Sequence, residues 1–204
     1  MPATDTPSLA LAAGIRLEEF EVLSVIGAGG FGIVYQAFDH SLERRIALKE
    51  YMPSQYAYRS DGVTIKPRGS RDIETFEVGL RSFVNEARML ARFDHRALVK
   101  VYRFWEANGT AYMAMPLYEG LTLKQTLERG AGVPPEETWL RSLLYPLLEA
   151  CATLHAAHCF HRDIAPDNII LTSGGPVLLD FGAARDRRCH TDTHGHPQGG
   201  IRAD

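Results

Sequence analysis

Phe160-His161-Arg162-Asp163-Ile164-Ala165-Pro166-Asp167-Asn168 is followed, twelve residues after its Asn, by Asp180-Phe181-Gly182. This pair of motifs, in this order, constrains the chain more than any other feature. A second feature is a change of character. The pattern runs to Arg185, and the last nineteen residues are polar and aperiodic.

A chain of 204 residues holds one large domain or two small lobes. Its apolar fraction of 45% is ordinary for a soluble globular protein. The net charge of −3 supplies no general pull toward nucleic acid or anionic lipid, so no nucleic-acid partner is expected. No stretch approaches the roughly eighteen apolar residues of a membrane span. Met1 to Arg16 contains Asp5 and no basic n-region, so it does not read as a signal peptide. Cys151, Cys159 and Cys189 are odd in number and lack disulfide-framework spacing, which fits a reducing cytoplasm.

Residues 1–16 read as a disordered or loosely docked lead. From Phe20, apolar runs flank Gly27-Ala28-Gly29-Gly30-Phe31-Gly32. A Gly-rich turn lets backbone N–H groups approach phosphate oxygens without Cβ interference. The rival, a dinucleotide-binding turn, needs a helix to open at its third Gly. Ile33-Val34-Tyr35 is β-branched and aromatic, so strand–turn–strand is the better reading. Arg45-Ile46-Ala47-Leu48-Lys49 reads as a short strand ending in Lys. Phe76, Leu80, Phe83, Val84, Ala87 and Leu90 recur with helical period, and Glu86 lies beside that stripe. Between them, about 51–75, the chain is expected to carry an insertion with a small hairpin around Asp61-Gly62. Lys100 to Glu106 and Thr110 to Met115 flank Asn108-Gly109, the strongest short hairpin signal present.

The second half opens with helices. Pro134-Pro135-Glu136-Glu137 reads as a helix start. Leu140, Leu143, Leu144, Leu147, Leu148, Cys151, Leu154 and His155 then mark one face, with Pro146 expected to kink it. Cys151 and His155 read as core-face residues.

Taken together, these motifs resemble the protein-kinase signature set, and are closest to bacterial Ser/Thr-type kinases over about residues 20–185. The resemblance implies an α+β, protein-kinase-like two-lobed fold. Residues 17–118 would form a complete five-stranded N-lobe with its hinge, and 119–185 an incomplete helical C-lobe. It implies ATP and Mg²⁺ as cofactors and a protein Ser or Thr hydroxyl as acceptor. Gly27, Ala28, Gly29, Gly30, Phe31, Gly32, Val34 and Ala47 would cover the nucleotide. Lys49 would contact its phosphates and pair with Glu86; read alone, these are a solvated strand end and a helix-surface acid. Met115 would be the gatekeeper and Pro116-Leu117-Tyr118 the hinge. The Pro116 carbonyl and the Tyr118 N–H would hold the adenine, and proline costs nothing where only its carbonyl is used. Asp163 would be the catalytic base, and Asn168 and Asp180 the oxygen ligands of Mg²⁺, a hard cation. His161 would be structural, and Arg162 would pair with a phosphorylated activation loop.

One position departs from the family. Ser/Thr kinases usually carry Lys two residues after the catalytic Asp, against the γ-phosphate, and this chain has Ala165. Tyrosine kinases place Ala there but add Arg two residues on, where this chain has Asp167. Ser/Thr specificity is the better expectation. The tail, 186–204, reads as disordered. A zinc site from Cys189, His190, His194 and His196 is a sharper alternative. A third reading is a frameshift near Arg185. One back-translation, moved a base forward, gives T-G-D-V-T-Q-T-L-T-V-I-L-K-A-G-Y-A-P, similar to an activation segment. The expectation is a kinase domain impaired by truncation, with little or no activity as it stands. The alternative is a catalytically inactive nucleotide-binding or scaffolding fragment. A small-molecule phosphotransferase is disfavoured by Arg162 beside Asp163, the full Gly-rich turn and Asp180-Phe181-Gly182.

Overall fold

Burial alternates strictly along Gly32–Asp39, with Ile33, Tyr35, Ala37 and Asp39 buried and the residues between them half-exposed. That period-2 pattern marks a strand whose two faces meet different surroundings. The computed structural model describes residues 9–130, 135–179 and 185–186. Its first lobe is one antiparallel sheet. The strands are β1 (Arg16–Leu17), β2 (Phe20–Ala28), β3 (Gly32–Asp39) and β4 (Arg44–Tyr51). After a short hairpin, β5 (Ala57–Arg59) and β6 (Ile65–Pro67), comes the helix α1 (Ile73–Leu90). Strands β7 (Arg103–Ala107) and β8 (Thr110–Pro116) complete the sheet, in the order β1-β2-β3-β4-β8-β7. Asn108 (φ 54) and Gly109 (φ 71) make the β7–β8 turn, both in the left-handed region that a tight hairpin demands.

The second lobe begins with β9 (Leu121–Thr122) and the helix α2 (Leu123–Arg129). A capping box starts α2: the Thr122 hydroxyl accepts from the Gln125 amide at 3.1 Å, and Gln125 Oε1 accepts from the Thr122 amide at 3.0 Å. The long helix α3 (Glu137–Ala156) continues unbroken through Pro146 and leads to β10 (Cys159–Phe160). A 3₁₀ turn at Pro166–Asn168 precedes the hairpin of β11 (Ile169–Thr172) and β12 (Gly175–Leu178). Strand β9 adds to that hairpin, and β10 pairs with β13 (Arg185–Asp186). The architecture is α+β, a sheet lobe followed by a helical one.

Several expectations need correction. The lead is not loose over residues 9–16. Leu11 is 3% exposed, its amide donates to Tyr35 Oη at 3.0 Å, and Arg16–Leu17 adds a sixth strand to the expected five. The cause is an outer sheet face that is apolar and must be covered. On that face Ile46 and Leu48 of β4 and Tyr112 and Ala114 of β8 are fully buried. The lead and the β5–β6 hairpin supply the cover through Leu11, Ala57 and Ile65. In α3 the expected apolar face is only half used. Leu143, Leu147, Ala150 and Leu154 are buried, while Leu140, Leu144, Leu148 and His155 are exposed. The exposed leucines recur every four residues, on a stripe that no described residue covers. Strand β7 starts at Arg103, not Lys100, and α3 starts at Glu137, after Pro135. Pro134 lies outside the described residues, as do Asp180 and the proposed Cys189, His190, His194 and His196 site.

Candidate active site

Strand β4 alternates Ala47, Lys49 and Tyr51 on one face with Ile46, Leu48 and Glu50 on the other. The first set faces α1 and a cleft between the lobes. Lys49 Nζ lies 3.1 Å from Glu86 Oε1, with both side chains largely buried. The apolar stripe of α1 packs Phe83, Val84, Ala87 and Leu90 into the core, and this carries Glu86 inward with it. A pair this buried survives only with close geometry, because both charges have left water.

The Gly-rich segment is the turn from β2 to β3. Gly27 and Ala28 end β2, Gly29-Gly30-Phe31 form the turn, and Gly32 begins β3. The Gly29 amide donates to the Gly32 carbonyl at 2.9 Å, which closes it. A Cβ on Gly32 would lie 2.5 Å from the Glu50 carbonyl oxygen, so β3 approaches β4 there as only glycine allows. No described atom lies within 4 Å of a Cβ built on Gly29 or Gly30, and Phe31 at the tip is exposed.

The cleft encloses about 220 Å³. Ile26, Val34 and Ala47 line it from the sheet, Met115, Pro116, Leu117 and Tyr118 from the connection, and Asn168, Ile170 and Leu179 from the second lobe. Ala47 pairs with Met115 across β4 and β8. Tyr118 Oη accepts from the Lys100 amide at 3.3 Å, and burial raises its phenol pKa. Ile26, Ile170 and Leu179 were not singled out from sequence. Two-residue spacing from Asn168 to Ile170 was the available signal, since both project from one face of the chain entering β11.

Opposite Lys49 stands the loop before β11. His161 is 2% exposed, accepts from the Asp163 amide at Nδ1 (3.3 Å) and so donates from Nε2 to the Leu179 carbonyl (3.2 Å). It is a brace, as expected. Asn168 Nδ2 donates to Asp163 Oδ2 at 2.9 Å and to the Asp163 carbonyl at 3.1 Å. The amide nitrogen is therefore spent within the loop. Asn168 Oδ1 is left as a hard oxygen donor of the kind Mg²⁺ takes, and Asp163 Oδ1 as a candidate proton acceptor. Arg162 is exposed, with φ at 67°. Lys124 at the start of α2 reaches Asp167 at 3.2 Å. Among the described residues no group of three or more metal-ligating side chains occurs, and no helix is long and apolar enough to cross a membrane.

The model of the protein kinase domain family matches residues 20–195, running past Arg185. The serine/threonine-protein kinase PknL of Mycobacterium tuberculosis is 34% identical over 176 residues, 86% of this chain and 39% of PknL. PrkC of Bacillus subtilis, also a serine/threonine-protein kinase, is 30% identical over 86% of this chain and 24% of its own length. The solved chain of PpkA-294 in its apo form is 52% identical, with a TM-score of 0.79, over 86% of this chain and 62% of that one. The chain belongs to the protein kinase family, and the relatives PknL and PrkC are serine/threonine-protein kinases of bacteria. The chain spans about two fifths of PknL.

Proposed function

We propose that this chain binds ATP in the cleft and transfers its γ-phosphoryl group to a protein Ser or Thr hydroxyl. The observation that carries the reading is the facing pair of constellations, Lys49–Glu86 on the sheet and Asp163–Asn168 on the loop. Ile26, Val34 and Ala47 would hold one face of the adenine and Ile170 the other, with its edge on the Pro116 carbonyl and Tyr118 amide. Lys49, oriented by Glu86, would contact the phosphates. Asn168 and Asp180 would hold Mg²⁺, which spreads the charge developing on the phosphoryl oxygens. Asp163 would orient the acceptor hydroxyl through Oδ1 and take its proton, since Asn168 already fixes Oδ2. Ala165 offers no cation at the transferring group, so transfer is slow.

The test is transfer of labelled phosphate from Mg-ATP to myelin basic protein, read beside the melting temperature. Wild type should label the acceptor and rise in melting temperature with Mg-ATP. Asp163→Asn should keep the rise and lose about a thousandfold or more of the rate. Equal labelling by both proteins would refute the role of Asp163. Ala165 also favours a second reading, nucleotide binding without transfer. A melting shift with no labelling by wild type would establish that one.

A further inference from the structure

Three successive residues of β4 tie three parts of the first lobe together. Lys49 turns toward α1 and meets Glu86. Glu50 turns the other way, is fully buried, and accepts from Arg59 Nη2 at 2.7 Å and from Tyr35 Oη at 2.7 Å. Tyr51 turns back toward α1, donating to the Phe76 carbonyl at 3.1 Å and packing against the rings of Phe76 and Phe83. A Cβ on Gly79 would come within 2.1 Å of Tyr51 Oη, so α1 sits on Tyr51 as closely as glycine permits.

Arg59 belongs to the hairpin inserted between β4 and α1. It is 6% exposed, and its remaining donors reach the Leu9 carbonyl (3.0 and 2.8 Å) and the Val63 carbonyl (2.6 Å). Burial alone would lower its pKa, but the hydrogen bond and charge of Glu50 win and hold it above the ordinary value. The hairpin is docked a second time, where the Ile65 amide donates to the Asn108 carbonyl at 2.8 Å. Arg68 then binds back, its amide to the Tyr56 carbonyl at 2.8 Å and its Nε to the Ser54 carbonyl at 3.2 Å, just before α1 begins. The insertion is thus anchored on the sheet at one end and delivers the first turn of α1 at the other.

We propose that Glu50 and Arg59 are positioning residues for phosphoryl transfer: their buried ion pair clamps the inserted hairpin to the strand of Lys49 and so holds α1 where Glu86 meets Lys49. The catalytic consequence rests on the kinase reading above; the mechanical claim does not. In this protein the position of α1 is then set from the outer face of the sheet, by the lead and the insertion.

The test has two arms on the full chain. The first needs no nucleotide. In Arg59→Met, amides from Phe76 to Glu86 should exchange about tenfold faster or more, while those of Leu147 to Leu154 in α3 stay unchanged. Equal exchange in α1 overturns the proposal whatever the activity. The second arm is a double-mutant cycle on the affinity for Mg-ATP. Arg59→Met should weaken binding about tenfold in wild type but little in Glu86→Gln, because both act through one pair. Full additivity would show a merely structural role and overturn the positioning claim. If Arg59→Met alone does not fold, Glu50→Gln with Arg59→Met removes the stranded charge and is read in the same way. If wild type binds no Mg-ATP, the kinase reading falls, and the exchange arm still decides the clamp.

Discussion

Ala165 is the residue at which this loop departs most from its family, and the structure shows what surrounds the gap. The Ala165 side chain is half-buried and the nearby cation, Lys124, is engaged with Asp167 at 3.2 Å. Both partners are more than half exposed, so that pair is worth little and does not substitute for a fixed charge at the phosphoryl group. Restoring the charge should therefore help. Ala165→Lys is expected to raise the rate of transfer to myelin basic protein about tenfold, with the KM for ATP nearly unchanged. Steady-state kinetics checks it, and a fall in rate would mean the loop has no room for the longer side chain. Lys49 makes the opposite case. Lys49→Met leaves Glu86 buried beside a methyl group, at a cost of about 3 kcal/mol or more in stability. Chemical denaturation measures that directly, and a variant as stable as wild type would show the pair to be dispensable for folding.

At the scale of elements, the β5–β6 hairpin carries its own test. Asp61 closes its turn by accepting from the Thr64 amide (2.6 Å), the Thr64 hydroxyl (2.8 Å) and the Val63 amide (3.0 Å). Those bonds favour the carboxylate and push its pKa down to about 2. The depressed value fixes the sign. The turn gains from this group at pH above the ordinary carboxylate value near 3.8 and loses it as pH falls through about 2. The Val63 and Thr64 amide resonances should hold steady down to about pH 3 and move below it, and Asp61→Ala should abolish that step. The same hairpin shows how far sequence could be read. Asp61-Gly62 and Asn108-Gly109 announce turns through residues that tolerate positive φ, and the helical period of Phe76 to Leu90 marks α1 with Glu86 beside its buried stripe. Those are local signals. The docking of Leu11 on Tyr35 and of Arg59 on the Leu9 carbonyl joins segments 24 and 50 residues apart, and no period within either segment encodes it. Glu50 carries no signal of its own in the sequence, and its partner Arg59 comes from the β5–β6 hairpin. In α3 the leucine pattern marked too wide a face: periodicity cannot say what covers it, and only Leu143, Leu147 and Leu154 among those leucines are buried.

For the whole molecule, the cleft draws its lining from both lobes. Val34, Ala47 and Lys49 come from the sheet, and Asn168, Ile170 and Leu179 from the segment around β11 and β12. Covalent continuity through Pro116-Leu117-Tyr118 is one link between the lobes. Val99 and Ala97 supply another, exchanging backbone hydrogen bonds with Leu178 at 3.0 and 2.8 Å. A ligand that touches both walls binds only when both are folded, so it stabilises the lobes jointly. At a hundred times its dissociation constant, Mg-ATP should add about 2.7 kcal/mol by mass action. Calorimetry should show a higher melting temperature and one transition in which the lobes unfold together. Lys49→Met, with its phosphate contact gone, should lose most of the shift, whereas Ala165→Lys should keep all of it. If Mg-ATP instead raised the melting of the sheet lobe alone, the nucleotide would be resting on Lys49 and the Gly-rich turn without engaging Asn168. Such a complex would leave Asp163 without a positioned phosphoryl group, and transfer would fail for that reason even with Lys restored at 165.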